Sequence, residues 1–98
     1  MIHIEIHYFD GCPHADAAIN LGQRYHEKYP ETVLDIINVD NIEKAEKIGF
    51  RGSPTILIND QDMAGAPRPE EPRMACRYYA DGLPDFPQFE KIVQEFEK

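Results

Sequence analysis

The amino-acid sequence predicts an α/β fold with the element order βαβαββα. The first residues alternate between apolar and polar side chains, as a strand does when one of its faces lies on a core. Segments with helical periodicity then alternate with short runs of β-branched residues. The chain has 98 residues, of which 42% are hydrophobic and 29% charged, and this composition is typical of one globular domain, residues 1–98.

The first part of the chain is predicted to form a parallel βαβ unit. Strand one covers residues 2 to 8 or 9, helix one residues 13–28 and strand two residues 33–39. Pro13 suits the first helical position, because its missing N–H costs nothing there. Gly22 lies where the helix would approach the sheet closely. The apolar stripe of the helix consists of Ala17, Ala18, Leu21 and Tyr25.

The middle of the chain is predicted to form a short helix and a β-hairpin. Asp40-Asn41 offers an N-cap for a helix over residues 42–48, and Gly49 ends it. A strand over residues 55–58 turns back into a short strand near residues 61–64.

The last third begins with an insertion and ends with a helix. Residues 65–73 contain three prolines and four charged side chains, which predicts an exposed loop, and residues 74–80 are predicted to return toward the domain in an extended form. Asp85 and Gln88 have the spacing of a capping box. The apolar face of the last helix consists of Phe89, Ile92, Val93 and Phe96.

Cys12 lies between Gly11 and Pro13, where strand one gives way to helix one. The free N–H groups and positive dipole end of a helix favour a thiolate, which is the nucleophilic form of cysteine. The alternative interpretation is a small buried hydrophobic residue. We favour the reactive thiol, because a cysteine between glycine and proline at such a turn is not in a typical core position.

Two motifs resemble those of the thioredoxin family. One is the Tyr-Phe-x-Gly-Cys-Pro turn at residues 8–13, and the other is the run AEKIGFRGSPTILI at residues 45–58, which looks like the thioredoxin segment that enters a strand through a cis-proline. The resemblance covers the chain except for residues 65–80. It is strongest to small bacterial thioredoxin-family proteins with a later Cys-Arg element. The resemblance implies a mixed four-stranded sheet flanked by helices.

The resemblance also implies roles for individual residues. Cys12 matches the attacking nucleophile, and Pro54 matches the cis-proline. Ser53, before that proline, matches the residue whose backbone groups pair with an extended substrate. Pro13 and His14 follow the nucleophile and would contact the substrate, and His14 is either a proton shuttle or an exposed helix residue.

The motif departs from the family at Ala15, where dithiol members carry a second cysteine. A disulfide within the motif is therefore impossible, and three solutions stay open. Cys76 resolves Cys12 from the inserted segment, an external small thiol does so as in monothiol glutaredoxins, or the site has lost its redox chemistry and only binds. The first solution predicts a Cys12–Cys76 disulfide under oxidising conditions.

Arginine is unevenly distributed in this chain. Four of the five arginines (residues 51, 68, 73 and 77) lie between Ile48 and Tyr78, where there is no lysine. Since the guanidinium fork suits carboxylates and phosphates, Arg77 beside Cys76 is a candidate anion-binding residue. The alternative is pairing with local carboxylates: Asp62, Glu70 and Glu71.

The polar face of strand one carries His3, Glu5 and His7 at alternate positions. These residue types bind zinc, but a strand face supplies little enclosure. We therefore expect a solvated or partly covered face and predict no metal site.

The function predicted from these residues is thiol–disulfide oxidoreduction with Cys12 as nucleophile, resolved by Cys76 or an external small thiol. The alternatives are a non-catalytic protein- or peptide-binding module, and capture of a soft metal or metalloid by the two thiolates. The expected partner is a disulfide-containing protein or a low-molecular-weight thiol, and no cofactor is expected. A net charge of −8 argues against nucleic acid. The chain has no apolar run long enough to span a membrane, so we expect no membrane association. Two cysteines in a chain without a signal-peptide pattern predict a cytoplasmic location. We expect a monomer or weak homodimer.

Overall fold

Seven helices and strands follow one another in the computed structural model, which describes residues 1–97. They are β1 (His3–Tyr8), α1 (Ala15–Lys28), β2 (Val33–Asn38), α2 (Ile42–Ile48), β3 (Thr55–Ile58), β4 (Gln61–Asp62) and α3 (Phe86–Glu95). This order confirms the predicted α/β arrangement. Among these residues, no helix is both long and apolar enough to cross a membrane.

The four strands form one open, mixed sheet in the order β2-β1-β3-β4. β1 pairs in parallel with β2, so that Ile6 lies opposite Ile36, and it pairs antiparallel with β3, so that Ile6 also lies opposite Ile56. β4 closes an antiparallel hairpin with β3. The predicted mixed four-stranded sheet is therefore confirmed.

Local capping fixes the ends of α2 and α3 as predicted. The Asn41 side chain accepts a hydrogen bond from the Lys44 backbone N–H at 2.8 Å, and α2 ends at Gly49, whose φ of 66° is left-handed. Asp85 and Gln88 form the reciprocal capping box of α3.

The main core lies between one face of the sheet and the helices α1 and α3. Gly22 lets α1 approach this face, since a Cβ there would lie 2.5 Å from Cδ1 of Ile6. The fully buried side chains of this core include Ile4, Ile6, Ala18, Ile56, Ile58, Phe89 and Val93. A second cluster, on the side of α2, consists of Val39, Ala45 and Phe50.

Several sequence predictions differ from the structure. α1 begins at Ala15 and not at Pro13, because the Ala15 N–H donates to the Cys12 carbonyl at 3.3 Å and forms a tight turn before the helix. Ala17 is exposed and does not belong to the apolar stripe. β2 and β4 end at Asn38 and Asp62, earlier than predicted.

The polar face of β1 is only partly open to solvent. His3 and Glu5 are half-buried, whereas His7 is 1% exposed, and neither of its ring nitrogens has a hydrogen-bond partner within residues 1–97. His7 lines a cavity of about 370 Å³ together with Ile48 and Arg51. Burial, with the nearby positive charge of Arg51, lowers the pKa of His7 to about 4.

Candidate functional site

A disulfide joins Cys12 to Cys76 across 64 residues of sequence, with the two Cα atoms 5.6 Å apart. This bridge is the one that the first of the three sequence-based solutions predicts. The two cysteines differ in exposure, since Cys12 is 8% exposed and Cys76 is half-buried. The turn that precedes α1 supplies one cysteine, and the inserted segment supplies the other.

Next to the disulfide, the peptide bond between Ser53 and Pro54 is cis, as predicted. The Ser53 N–H donates to the Ala75 carbonyl at 2.9 Å, and the Arg77 N–H donates to the Ser53 carbonyl at 2.7 Å. These two bonds form a parallel β-bridge between Ser53 and Cys76. The backbone groups expected to receive an extended substrate are therefore bonded to the chain's own residues, which place Cys76 beside Cys12.

Gly52 makes this close approach possible. Its φ is 108°, and a Cβ at this position would lie 3.0 Å from the Cβ of Arg77 and 3.1 Å from the Ala75 carbonyl oxygen. Gly52 belongs to the run at residues 45–58 that resembles the thioredoxin family. The inserted segment packs against the domain at this same residue.

Residues 73–79, which we call the docked segment, are held by further contacts on both sides of Cys76. The Arg73 N–H donates to the Phe50 carbonyl at 2.8 Å, and the Tyr79 hydroxyl donates to the Pro54 carbonyl at 3.0 Å. The guanidinium of Arg77 donates to the two carboxylate oxygens of Asp62 at 2.7 and 3.0 Å. These non-covalent contacts give the segment a fixed position that does not depend on the disulfide alone.

The Arg77–Asp62 pair is largely shielded from water. Burial by itself would raise the pKa of Asp62, but hydrogen bonds from the Arg77 guanidinium and the Ala64 N–H outweigh it, so the pKa of Asp62 lies below its ordinary value. Arg51 also approaches this carboxylate, with its Nε 3.7 Å from Oδ2. The carboxylate is therefore ionised at neutral pH and serves as the internal partner of Arg77.

We expect Asp62→Asn to loosen the docked segment once the disulfide is reduced. A hydrogen bond to a charged group contributes about 1.5–3 kcal/mol, so hydrogen-exchange protection of the Arg77 amide should fall at least about tenfold. Asp81→Asn, an exposed change of the same charge, is the control. Equal protection in both variants would show that the ion pair does not hold the segment.

The other predicted site residues lie around the disulfide. Pro13 is exposed beside Cys12, and the ring of His14 meets that of Tyr78 edge to face, with centroids 5.9 Å apart. The structure thus brings together Cys12, Cys76, Pro13, His14, Ser53, Pro54 and Arg77. It commits the guanidinium of Arg77 to Asp62, so local pairing describes this arginine better than a free anion site.

Two residues that hold this site were not predicted as part of it. Asp62 appeared only as a possible local partner of an arginine, and Tyr79 had no assigned role. Each of them bonds to a residue at least 15 positions away in the chain. The residues next to them in sequence therefore do not reveal the bonding partner. The signal for Asp62 in the sequence was an acidic residue inside the predicted strand near residues 61–64, and its burial is known from the structure alone.

A group of metal-ligating residue types lies on the neighbouring strands β1 and β2. Ligand atoms of His3, Glu5 and Asp35 lie within 4.8 Å of one another, and His7 is not part of this group. His3 Nε2 is 2.7 Å from the Asp35 carboxylate. The hydrogen bond between His3 and Asp35, and the pairing of Glu5 opposite Asp35 in the sheet, account for this closeness.

The disulfide, the cis-proline and the docked segment together form the strongest candidate site in residues 1–97. Comparison of the chain with protein-family models, with curated proteins and with solved structures gives no match.

Proposed function

We propose that this chain is a thioredoxin-like thiol–disulfide oxidoreductase that works with Cys12 and Cys76. The observation that carries the proposal is a disulfide between these residues directly beside a cis-proline, in which Cys76 is bridged to Ser53. Cysteines with Cα atoms 5.6 Å apart can form and break a bond with little backbone movement. Two cysteines far apart in sequence thereby replace the paired cysteines of a dithiol motif.

In the proposed cycle, the Cys12 thiolate attacks one sulfur of a substrate disulfide and releases the other substrate sulfur as a thiolate. The Cys76 thiolate then attacks the Cys12 sulfur of the mixed disulfide. This step forms the Cys12–Cys76 bond and releases the second substrate thiolate. Two electrons have passed from the protein dithiol to the substrate, and two equivalents of an external thiol restore the dithiol.

The surrounding residues support these steps in different ways. α1 begins three residues after Cys12, and its positive end stabilises the thiolate. Pro13 and His14 border Cys12 on the outer side and would contact the substrate. Because Ser53 is bonded to Ala75 and Arg77, a substrate that pairs with Ser53 first displaces those residues.

We propose that the protein works in the cytoplasm as a monomer or weak homodimer and that it uses no cofactor. Small thiols are the abundant reductants of the cytoplasm, and they would regenerate the dithiol after each turnover. A disulfide-containing protein or a small disulfide would be the substrate.

Trapping of the mixed disulfide tests this function. Reduced Cys76→Ser protein, mixed with a disulfide-bonded peptide, should accumulate one equivalent of peptide on Cys12, because no second thiol releases it. Wild-type protein and the control Ala80→Ser, an exposed change, should instead lose two hydrogens and carry no peptide. Intact-mass and peptide-mass measurements distinguish these products. An unmodified Cys12 in the Cys76→Ser protein would contradict the proposal.

Capture of a soft metal or metalloid is the second candidate, favoured by the closeness of the two sulfurs once the bridge is reduced. Titration of reduced protein with phenylarsine oxide would then give one tight equivalent, and both single cysteine variants would lose it. Tight binding without disulfide turnover would favour this candidate. A peptide-binding module has less support, because the Ser53 backbone groups are already bonded within the chain.

A further inference from the structure

A cavity of about 660 Å³ lies between the docked segment, which contributes Cys76 to its wall, and the inserted loop that precedes this segment. This size suits a small organic molecule. Cys76 lines the cavity, and Cys12 does not. The remaining wall combines apolar groups from the inserted loop with charged side chains, among them Arg51, Arg73 and Arg77.

The cavity wall is positive in a chain whose net charge is −8. Arg51 and Arg77 share the single carboxylate of Asp62. Arg73 is exposed and forms no ion pair within the described part of the chain, residues 1–97, and Glu71 is the acidic residue of the lining. The three arginines therefore outweigh the two carboxylates, so an anion is attracted here although the molecule as a whole repels it.

The two sulfurs of the disulfide differ in their access to this cavity. Thiol–disulfide exchange requires the attacking thiolate to reach the sulfur it attacks. Cys12 is 8% exposed, whereas Cys76 is half-buried and lines the cavity. A small molecule in the cavity therefore meets Cys76. The sulfur released by that attack is Cys12, which lies three residues before α1, and the positive end of that helix favours its thiolate.

We propose that the arginine-lined cavity binds a low-molecular-weight thiol that carries a carboxylate, and that this thiol reduces the protein by attacking Cys76. The inference deepens the proposed function, on which it rests. The thiolate forms a bond to the Cys76 sulfur, and Cys12 leaves as a thiolate that is ready to attack substrate. A second thiolate attacks the small-thiol sulfur of the adduct, which yields the symmetrical small disulfide and the Cys76 thiolate.

The first test compares two thiols of equal length, 3-mercaptopropionate and 3-mercaptopropanol, as reductants of the oxidised protein. Rates are expressed per thiolate at low ionic strength. We expect the anionic thiol to be at least about threefold faster, since an attractive cleft raises association rates. Arg73→Gln should abolish most of this preference, because it slows 3-mercaptopropionate more than 3-mercaptopropanol. Arg24→Gln, the same charge change on α1, should keep the preference.

The second test identifies the sulfur that is attacked. Acid quenching during a single turnover, followed by alkylation and peptide mapping, should place 3-mercaptopropionate on Cys76 and the alkyl group on Cys12. An adduct mainly on Cys12 would overturn the proposal, as would equal rates for the two thiols or equal effects of Arg73→Gln and Arg24→Gln. Because these tests follow reduction of the protein's own disulfide, their failure is distinct from failure of the Cys76→Ser protein to trap a substrate.

Discussion

Cys12→Ser is expected to abolish catalysed reduction of a substrate disulfide. The serine hydroxyl is not ionised at neutral pH and forms no mixed disulfide, so the first step of the proposed cycle has no nucleophile. Loss of a covalent nucleophile costs at least about three orders of magnitude in rate. The rate of insulin reduction by dithiothreitol, with the protein present in catalytic amounts, measures this loss against the uncatalysed background.

Two comparisons make this expectation specific. Cys76→Ser should complete a single attack on the substrate but turn over slowly, since release of the product then depends on dithiothreitol. Ala17→Ser adds a hydroxyl at an exposed position of α1 and should keep full activity. Turnover by the Cys12→Ser protein at the wild-type rate would rule out Cys12 as the nucleophile and turn attention to Cys76.

Acidification from pH 7 to pH 4 is expected to destabilise the protein through His7. The pKa of this buried imidazole is about 4 in the folded state and 6.5 when exposed to water. Between these values the unfolded chain binds the proton and the folded chain does not, so stability falls as the pH falls. The difference corresponds to about 3 kcal/mol of unfolding free energy at pH 4. Well above pH 6.5 the imidazole is neutral in both states and contributes no pH dependence.

Urea unfolding at several pH values measures this effect. His7→Leu should show a loss of unfolding free energy between pH 7 and pH 4 that is smaller by about 3 kcal/mol than that of the wild type. Glu5 lines the same cavity, and burial raises the pKa of its carboxyl, so it titrates with the opposite sign and the comparison between proteins is needed. His26→Gln, on the exposed side of α1, is the matched control. Parallel pH profiles for wild type and His7→Leu would contradict the prediction.

The parts of the fold that depend on local sequence were predicted well. The capping residues Asn41 and Asp85 act within three positions of their own location, and Gly49 ends α2 by its own backbone geometry. The alternating pattern of β1 also identified the buried isoleucines correctly. The start of α1 was misplaced because a tight turn at Pro13 and a helical first turn favour similar residues.

The parts of the site that depend on distant contacts were not predictable from the sequence in the same way. Alternation places His3, Glu5 and His7 on one face of β1, but it does not tell how far neighbouring segments cover that face. The bridge between Ser53 and Cys76 is a single long-range pairing without a strand pattern around it. Cys76 was named as a partner only because the motif lacked a second cysteine, and the residues that hold it, Asp62 and Tyr79, gave no such signal.

The docked segment also determines which molecules can compete for the Ser53 backbone groups beside Pro54. Because it is tethered to the same chain, it occupies Ser53 as if it were a ligand present on the order of millimolar concentration. A peptide at micromolar concentration that only pairs its backbone with Ser53 is therefore excluded. In the proposed cycle, a disulfide-containing molecule would need no such occupancy, since covalent exchange would hold it at the sulfur. We therefore expect the proposed site to select its partners by chemical reactivity and to discriminate little by peptide sequence.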